Sequence, residues 1–213
     1  MLYKAVIFDL DGTLLDTLED LAAAVNYAMQ EGGFPLHTVA QYRSMVGHGV
    51  RNLVTQALPE NHRDEAQIDR SLATFKDYYT SHIDVHTHPY PGMQELVQKL
   101  NAEGVKLAVA SNKFQSGTEY LVNRFFDGIP FVAILGNREG YPLKPDPEIV
   151  GEVLRKAGVS KEEAVMVGDS PTDMKTAANG GIRGIAVSWG YRDMADGTVV
   201  RSAEELLALL CVG

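Results

Sequence analysis

The sequence predicts an α/β protein, a parallel sheet flanked by helices with an all-helical segment inserted after the first strand. Two observations carry this. Short apolar runs with β-branched members recur along the chain, and most are separated by segments of helical periodicity, the alternation expected of βαβ units. The interval between Phe8 and Lys106 is also far longer than the ~30 residues of one βαβ unit, and most of it has a helical pattern.

Taken in order, residues 4–8 (Lys-Ala-Val-Ile-Phe) are short, apolar and partly β-branched, as a buried strand requires. Thr17 and Asp20 offer a capping box for a helix carrying Leu18, Leu21, Ala22 and Val25, which Gly32-Gly33 would end. A later helix carries Ile68, Leu72, Phe75 and Tyr79. Thr87–Gly92, rich in proline and glycine, suits a return hinge. Met93, Leu96, Val97 and Leu100 fall on one helical face, and the pattern stops at Gly104. Strands are expected at Lys106–Ala110, Phe131–Leu135, Ala164–Val167 and Gly184–Val187. Between the second and third of these, Ile149, Val150, Val153 and Leu154 mark a helix, with Pro147 suited to its first turn and Gly158 just past its end. The expected division is a main domain of residues 1–15 and 85–213, with a helical insert of residues 16–84.

The chain has 213 residues, 45% of them hydrophobic and 22% charged. A chain of this size can bury roughly 70% of its unfolded surface without a covalent staple. A single cysteine, Cys211, excludes an intrachain disulfide framework and fits a reducing compartment. The first residues run into a strand with no basic segment, apolar core and cleavage site of a signal peptide. No apolar run reaches the ~18 residues of a membrane span, so the expected location is cytoplasmic. The formal charge of −9 repels nucleic acid and anionic membrane, and neither is an expected partner. It would repel a phosphorylated metabolite too, unless the site gathers positive charge locally. Nothing in the sequence separates a monomer from a homodimer.

Two acidic motifs stand where such a site belongs. Asp9-Leu10-Asp11-Gly12-Thr13 follows the first strand directly. An Asp/Gly turn accounts for Asp11-Gly12. It does not account for a second carboxylate at the strand's C-terminal end, where open α/β sheets bind ligands. Gly168-Asp169-Ser170-Pro171-Thr172-Asp173 follows the run Ala164–Val167 in the same way. By itself it is a turn into a helix, with Asp173 favoured in the first turn by the dipole. Carboxylates gathered from two strand ends repel one another unless a cation lies between them, and hard oxygen ligands suit Mg²⁺. Ser111-Asn112-Lys113 follows another strand, and Lys144 precedes Pro145-Asp146-Pro147. In isolation Ser111 is a turn residue and Lys144 a surface charge.

As an ordered set, Asp9-x-Asp11-Gly12-Thr13, Ser111, Lys144 and Gly168-Asp169-x-x-x-Asp173 resemble the four motifs of the haloacid dehalogenase superfamily. The resemblance implies a Rossmann-like sheet, with the helical insert as a mobile cap. It implies Mg²⁺-dependent hydrolysis of a small organic phosphate through an aspartyl-phosphate. Asp9 would be the nucleophile and Asp11 the acid and base. Asp9, Asp169 and the main-chain carbonyl of Asp11 would bind the metal, Asp173 directly or through water. Ser111 would donate to a phosphoryl oxygen, and Lys144 would neutralise the phosphate and Asp9. Thr13 and Asn112 would lie against the substrate.

Asp11 argues against a true dehalogenase, which lacks that second aspartate. Mutases such as β-phosphoglucomutase typically carry a cap histidine where this chain has Leu21, which leaves hydrolysis ahead of phosphotransfer. A non-catalytic phosphate-binding or regulatory protein would have lost one of Asp9, Asp11, Lys144 or Asp169, and all are present. Asp16–Leu21 followed by Val46-Gly47-His48-Gly49-Val50-Arg51 resembles the cap of phosphoglycolate phosphatases. In that case Arg43, His48 or Arg51 would pair with a substrate carboxylate, arginine through its bidentate fork. His82, His86 and His88 lack the further ligands of a structural metal site and suit an exposed linker.

Overall fold

The computed structural model describes residues 2–195 and 197–211. Met1, Asp196 and the last two residues, all within the expected main domain, lie outside the described residues. Strand β1 (Ala5–Phe8) leads to the two-residue strand β2 (Leu15–Asp16) and then to four helices, α1 (Leu18–Glu31), α2 (Val39–Arg43), α3 (Val50–Ala57) and α4 (Glu65–Ser81). The chain returns through β3 (His88–Pro89), which pairs antiparallel with β2 and so brackets the helical interval. Then come α5 (Met93–Ala102), β4 (Lys106–Phe114), α6 (Gln115–Phe125), β5 (Phe131–Asn137) and α7 (Glu148–Ala157). The last elements are β6 (Ala164–Gly168), α8 (Pro171–Gly180), β7 (Arg183–Val187), β8 (Val199–Val200) and α9 (Ala203–Cys211).

Six strands form one parallel sheet in the order β5-β4-β1-β6-β7-β8. Its central strands are buried on both faces, which is why they read as unbroken apolar runs. Alternate residues serve opposite layers. Val6, Phe8, Leu107, Val109, Val165 and Val167 face the side packed by α5 and α9. Ala5, Ile7, Ala108, Ala110 and Ala164 face α7 and α8. Strand order runs outward in both directions from β1, so the ends of β1, β4 and β6 flank a topological switch point.

The chain departs from the expectations locally. Lys106–Ala110 extends to Phe114 after a register irregularity, so Ser111, Asn112 and Lys113 belong to β4 itself. The Thr17–Asp20 capping box does not form. Thr17 gives its hydroxyl to Asp11 instead, while Asp20 accepts from the main-chain N–H groups of His86 and Thr87 and from the Thr87 hydroxyl. The Asp20 contacts tie the start of α1 to the return segment 66 and 67 residues further on. No helix among the described residues is long and apolar enough to cross a membrane.

Candidate active site

The ladder continues one residue past β1, because the Asp9 N–H donates to the Val167 carbonyl at 2.9 Å. This sets the Asp9 carboxylate at the C-terminal edge of the sheet. The next residues fold tightly, with the N–H groups of Thr13, Leu14 and Leu15 all directed at the Leu10 carbonyl. Gly12 lies at φ +90°, and a Cβ there would fall 2.4 Å from Asp169 Oδ2. Gly190 closes the other side, where a Cβ would lie 2.2 Å from the Asp169 Cβ. Two glycines thus make room for one buried carboxylate. Its Oδ2 accepts the Tyr191 N–H at 2.6 Å.

Asp9, Asp169 and Asp173 bring carboxylate oxygens within 4.8 Å of one another, and all three residues are buried. Lys144 answers them alone at close range, its ammonium 2.8 Å from Asp9 Oδ1 and 2.6 Å from Asp173 Oδ1. Burial pushes the Asp9 carboxyl well above its ordinary range; Lys144 opposes the shift, and Asp173 and Asp169 add to it. Burial, with the Asp173 charge second, raises Asp169 to about 7. Burial by itself would lower the Lys144 ammonium, but Asp173 and Asp9 outweigh it and hold the group above its usual value. Three carboxylates against one ammonium leave a surplus of negative charge in a dry place. Hard oxygens with this surplus fit a divalent cation of the Mg²⁺ kind.

The neighbours of these groups keep them in place. Asp173 closes a capping box with Ser170 at the start of α8, so its Oδ1 is left for Lys144. Asn112 receives the Lys144 N–H on its Oδ1 at 2.8 Å, and its amide donates to the carbonyls of Lys144 and Gly47, both at 3.1 Å. Its side chain thus fixes the lysine's backbone and touches the helical interval, and the residue lines the cavity. Ser111, nearly buried, accepts from the Lys113 N–H and lines the cavity.

Asp11 lines the same cavity but is not one of the acidic trio. Its Oδ1 accepts from the Thr17 hydroxyl at 2.6 Å and from the Lys113 ammonium at 3.0 Å. Lys113 and Tyr191 are absent from the set the sequence motifs select. The lysine stands in the Ser111-Asn112-Lys113 stretch, but nothing local says that it is buried; its side chain is 1% exposed. Tyr191 comes from the loop after β7, and its phenol oxygen accepts the Thr17 N–H at 2.7 Å. It takes an orphan donor at the start of α1 that no local cap satisfies.

The cavity is lined on one side by Asp9, Asp11, Ser111, Lys144 and Asp169, and on the other by Leu21, Val46, Gly47, Gly49, Val50 and Leu53. Thr13, Arg43, His48 and Arg51 are not among its lining residues. Thr13 is fully buried and gives its carbonyl to the Trp189 indole. Arg51 is engaged on the surface with Glu65 and Asp69, which a helix spacing of four places opposite it. His48 is exposed. Arg43 donates across to the carbonyls of Gly190 and Tyr191. The arginine that reaches the cavity is Arg192, on the loop after β7, and it donates to the carbonyls of Arg43, Ser44 and Val46. Arg43 and Arg192 thus form a reciprocal clasp between the helical interval and the sheet. Among the described residues no second group of three or more metal-ligating side chains comes together, at His82, His86 and His88 or elsewhere.

A parallel sheet with a helical insert after its first strand, and aspartates converging where β1 and β6 end, defines the haloacid dehalogenase-like hydrolases. Residues 6–187 match the model of that family, and the chain belongs to it. Among curated relatives, the phosphoglycolate phosphatase of Mesorhizobium japonicum is 37% identical over 190 residues, which cover 88% of this chain and 84% of that one. The phosphoglycolate phosphatase of Aliivibrio fischeri is 32% identical over 193 residues, covering 88% and 85%. A crystal structure from Lactobacillus delbrueckii subsp. bulgaricus, of a candidate phosphoglycolate phosphatase, matches with a TM-score of 0.92 at 35% identity and 99% coverage of both chains.

Proposed function

We propose that this chain is a Mg²⁺-dependent phosphomonoester hydrolase of the cytoplasm that works through an aspartyl-phosphate on Asp9, with phosphoglycolate as its favoured substrate. The observation that carries the reading is the buried Lys144 ammonium bridging Asp9 and Asp173 beside Asp169. In this reading residues 16–84 are a cap over a main domain of residues 1–15 and 85–213.

The chemistry divides between two carboxylates. Asp9 attacks phosphorus, and the bond to the leaving alkoxide breaks. Asp11 gives that alkoxide a proton, then takes one from the water that splits the acyl-phosphate, which frees phosphate and restores Asp9. Lys144 and Ser111 bind the phosphoryl oxygens. Lys144 also keeps Asp9 in line, which is most of what phosphoryl transfer asks of a protein. Asp9, Asp169 and Asp173, with the main-chain carbonyl of Asp11, would hold Mg²⁺, which supplies positive charge to the transferring group. The surplus of buried negative charge supports that assignment.

The wall opposite the carboxylates supports hydrolysis of a small substrate. Leu21 lines the cavity where the mutases of the superfamily place a histidine, so no cap side chain there is suited to proton exchange with a sugar. Arg192, from the loop after β7, brings positive charge to the cavity, in place of Arg43, His48 or Arg51, and a carboxylate on the substrate would be drawn to it. The names of the relatives favour phosphoglycolate.

Phosphate release from phosphoglycolate, hexose phosphates, nucleoside monophosphates and p-nitrophenyl phosphate, with Mg²⁺ and with EDTA, tests the reading. Metal-dependent release concentrated on phosphoglycolate is expected. Low and even rates across the panel would reject the substrate and keep the phosphatase. No release from any ester by the folded protein would overturn both.

A further inference from the structure

Lys113 and Tyr79 join the helical insert to Asp11. The Lys113 ammonium donates to Asp11 Oδ1 at 3.0 Å and to the Tyr79 hydroxyl at 2.7 Å. It also lies 4.8 Å from the centre of the Tyr79 ring. Tyr79 belongs to α4 and is fully buried, stacked on Phe75 and edge-on to Phe114. An ammonium leaves water only where partners replace its hydration, and here the partners come from both parts of the molecule. For packing alone, an apolar side chain of similar volume would serve as well.

We propose that Lys113 and Tyr79 are positioning residues that aim Asp11 for proton transfer and make that aim depend on the seating of α4 against the sheet. The inference rests on Asp11 being the acid and base. Its Oδ1 accepts from both Thr17 and Lys113, so a proton carried by Asp11 resides on Oδ2, the oxygen left to meet the leaving group. Moving α4 away removes Tyr79 from the ammonium, and with it one of the two contacts that hold Lys113 against Asp11. Proton transfer is then competent in the closed arrangement and impaired in the open one.

Leaving-group dependence tests this. An alkoxide needs the proton from Asp11, whereas p-nitrophenolate departs with little help. The ratio kcat/KM covers the steps up to formation of the acyl-phosphate, and it is compared for phosphoglycolate and p-nitrophenyl phosphate in Asp11→Asn, Lys113→Met and Tyr79→Phe. Lys113→Met is expected to lose about ten-fold or more on phosphoglycolate and less than about three-fold on p-nitrophenyl phosphate. Tyr79→Phe keeps the ring packing and removes one oxygen, so it should show the same pattern more weakly, and it carries the test if Lys113→Met fails to fold. Equal losses on both substrates would mark a structural role and overturn the proposal. If Asp11→Asn discriminates between the substrates while the other two variants do not, this proposal alone fails. If Asp11→Asn does not discriminate either, the assignment of Asp11 as the acid fails with it.

Discussion

Asp9 shares its ammonium partner with Asp173 and lies close to Asp169, and its environment disfavours the charged form. A carboxyl whose folded pKa exceeds its unfolded value costs stability as pH rises from the unfolded value, and the full cost is present above the folded value. Asp9→Asn should therefore unfold, in EDTA at pH 8, at a temperature equal to or above that of the wild type. Its turnover should fall at least about a thousand-fold, because an amide cannot form the acyl-phosphate. A marked drop in melting temperature would contradict the charge surplus. Asp169 carries the same sign, with a window from 3.8 to about 7. A metal must displace its proton, so Mg²⁺ affinity, measured by titration calorimetry, should weaken as pH falls below about 7. A constant affinity between pH 6 and 8 would contradict this.

At the scale of elements, the helical insert is held to the sheet by the Arg43–Arg192 clasp, by Asn112 on Gly47 and by Lys113 on Tyr79. Hydrogen bonds from a charged donor are among the stronger ones. Arg192→Ala should therefore lower kcat/KM on phosphoglycolate by about ten-fold or more without changing the circular dichroism. Arg51→Ala should stay within about two-fold of wild type on carboxylate-bearing and neutral substrates alike, since exposed ion pairs contribute little. A selective loss on phosphoglycolate in Arg51→Ala would restore it as a substrate residue. The contrast between Arg51 and Arg192 shows where the sequence is legible. The central strands were legible because both their faces are buried, and the aspartates because they follow strands at short fixed spacing; the two-residue strands β2, β3 and β8 are too short to carry a pattern. Arg192 and Tyr191 lie in a loop whose partners in and just before the helical insert are about 150 residues or more away in the chain, and no local pattern encodes such pairings. The Thr17–Asp20 cap is displaced by other partners, Asp20 by the distant His86 and Thr87 and Thr17 by Asp11, six residues before it.

At the scale of the molecule, the order β5-β4-β1-β6-β7-β8 gathers Asp9 from beyond β1, Ser111 from β4 and Asp169 from beyond β6 at one switch point. A net charge of −9, with three buried carboxylates against the Lys144 ammonium at the site, would keep phosphate esters away unless a bound cation offset it. Mg²⁺ that binds the folded state should raise the melting temperature with concentration, as mass action requires, and the rise should vanish in Asp169→Asn. The central claim is that phosphate passes through Asp9. Borohydride added during turnover of phosphoglycolate with Mg²⁺ reduces an aspartyl-phosphate to homoserine, and peptide mass spectrometry locates it. The account predicts homoserine at position 9 with substrate and metal together, and none when either is omitted. Turnover at the full rate with position 9 unmodified, or homoserine at another aspartate, would contradict it.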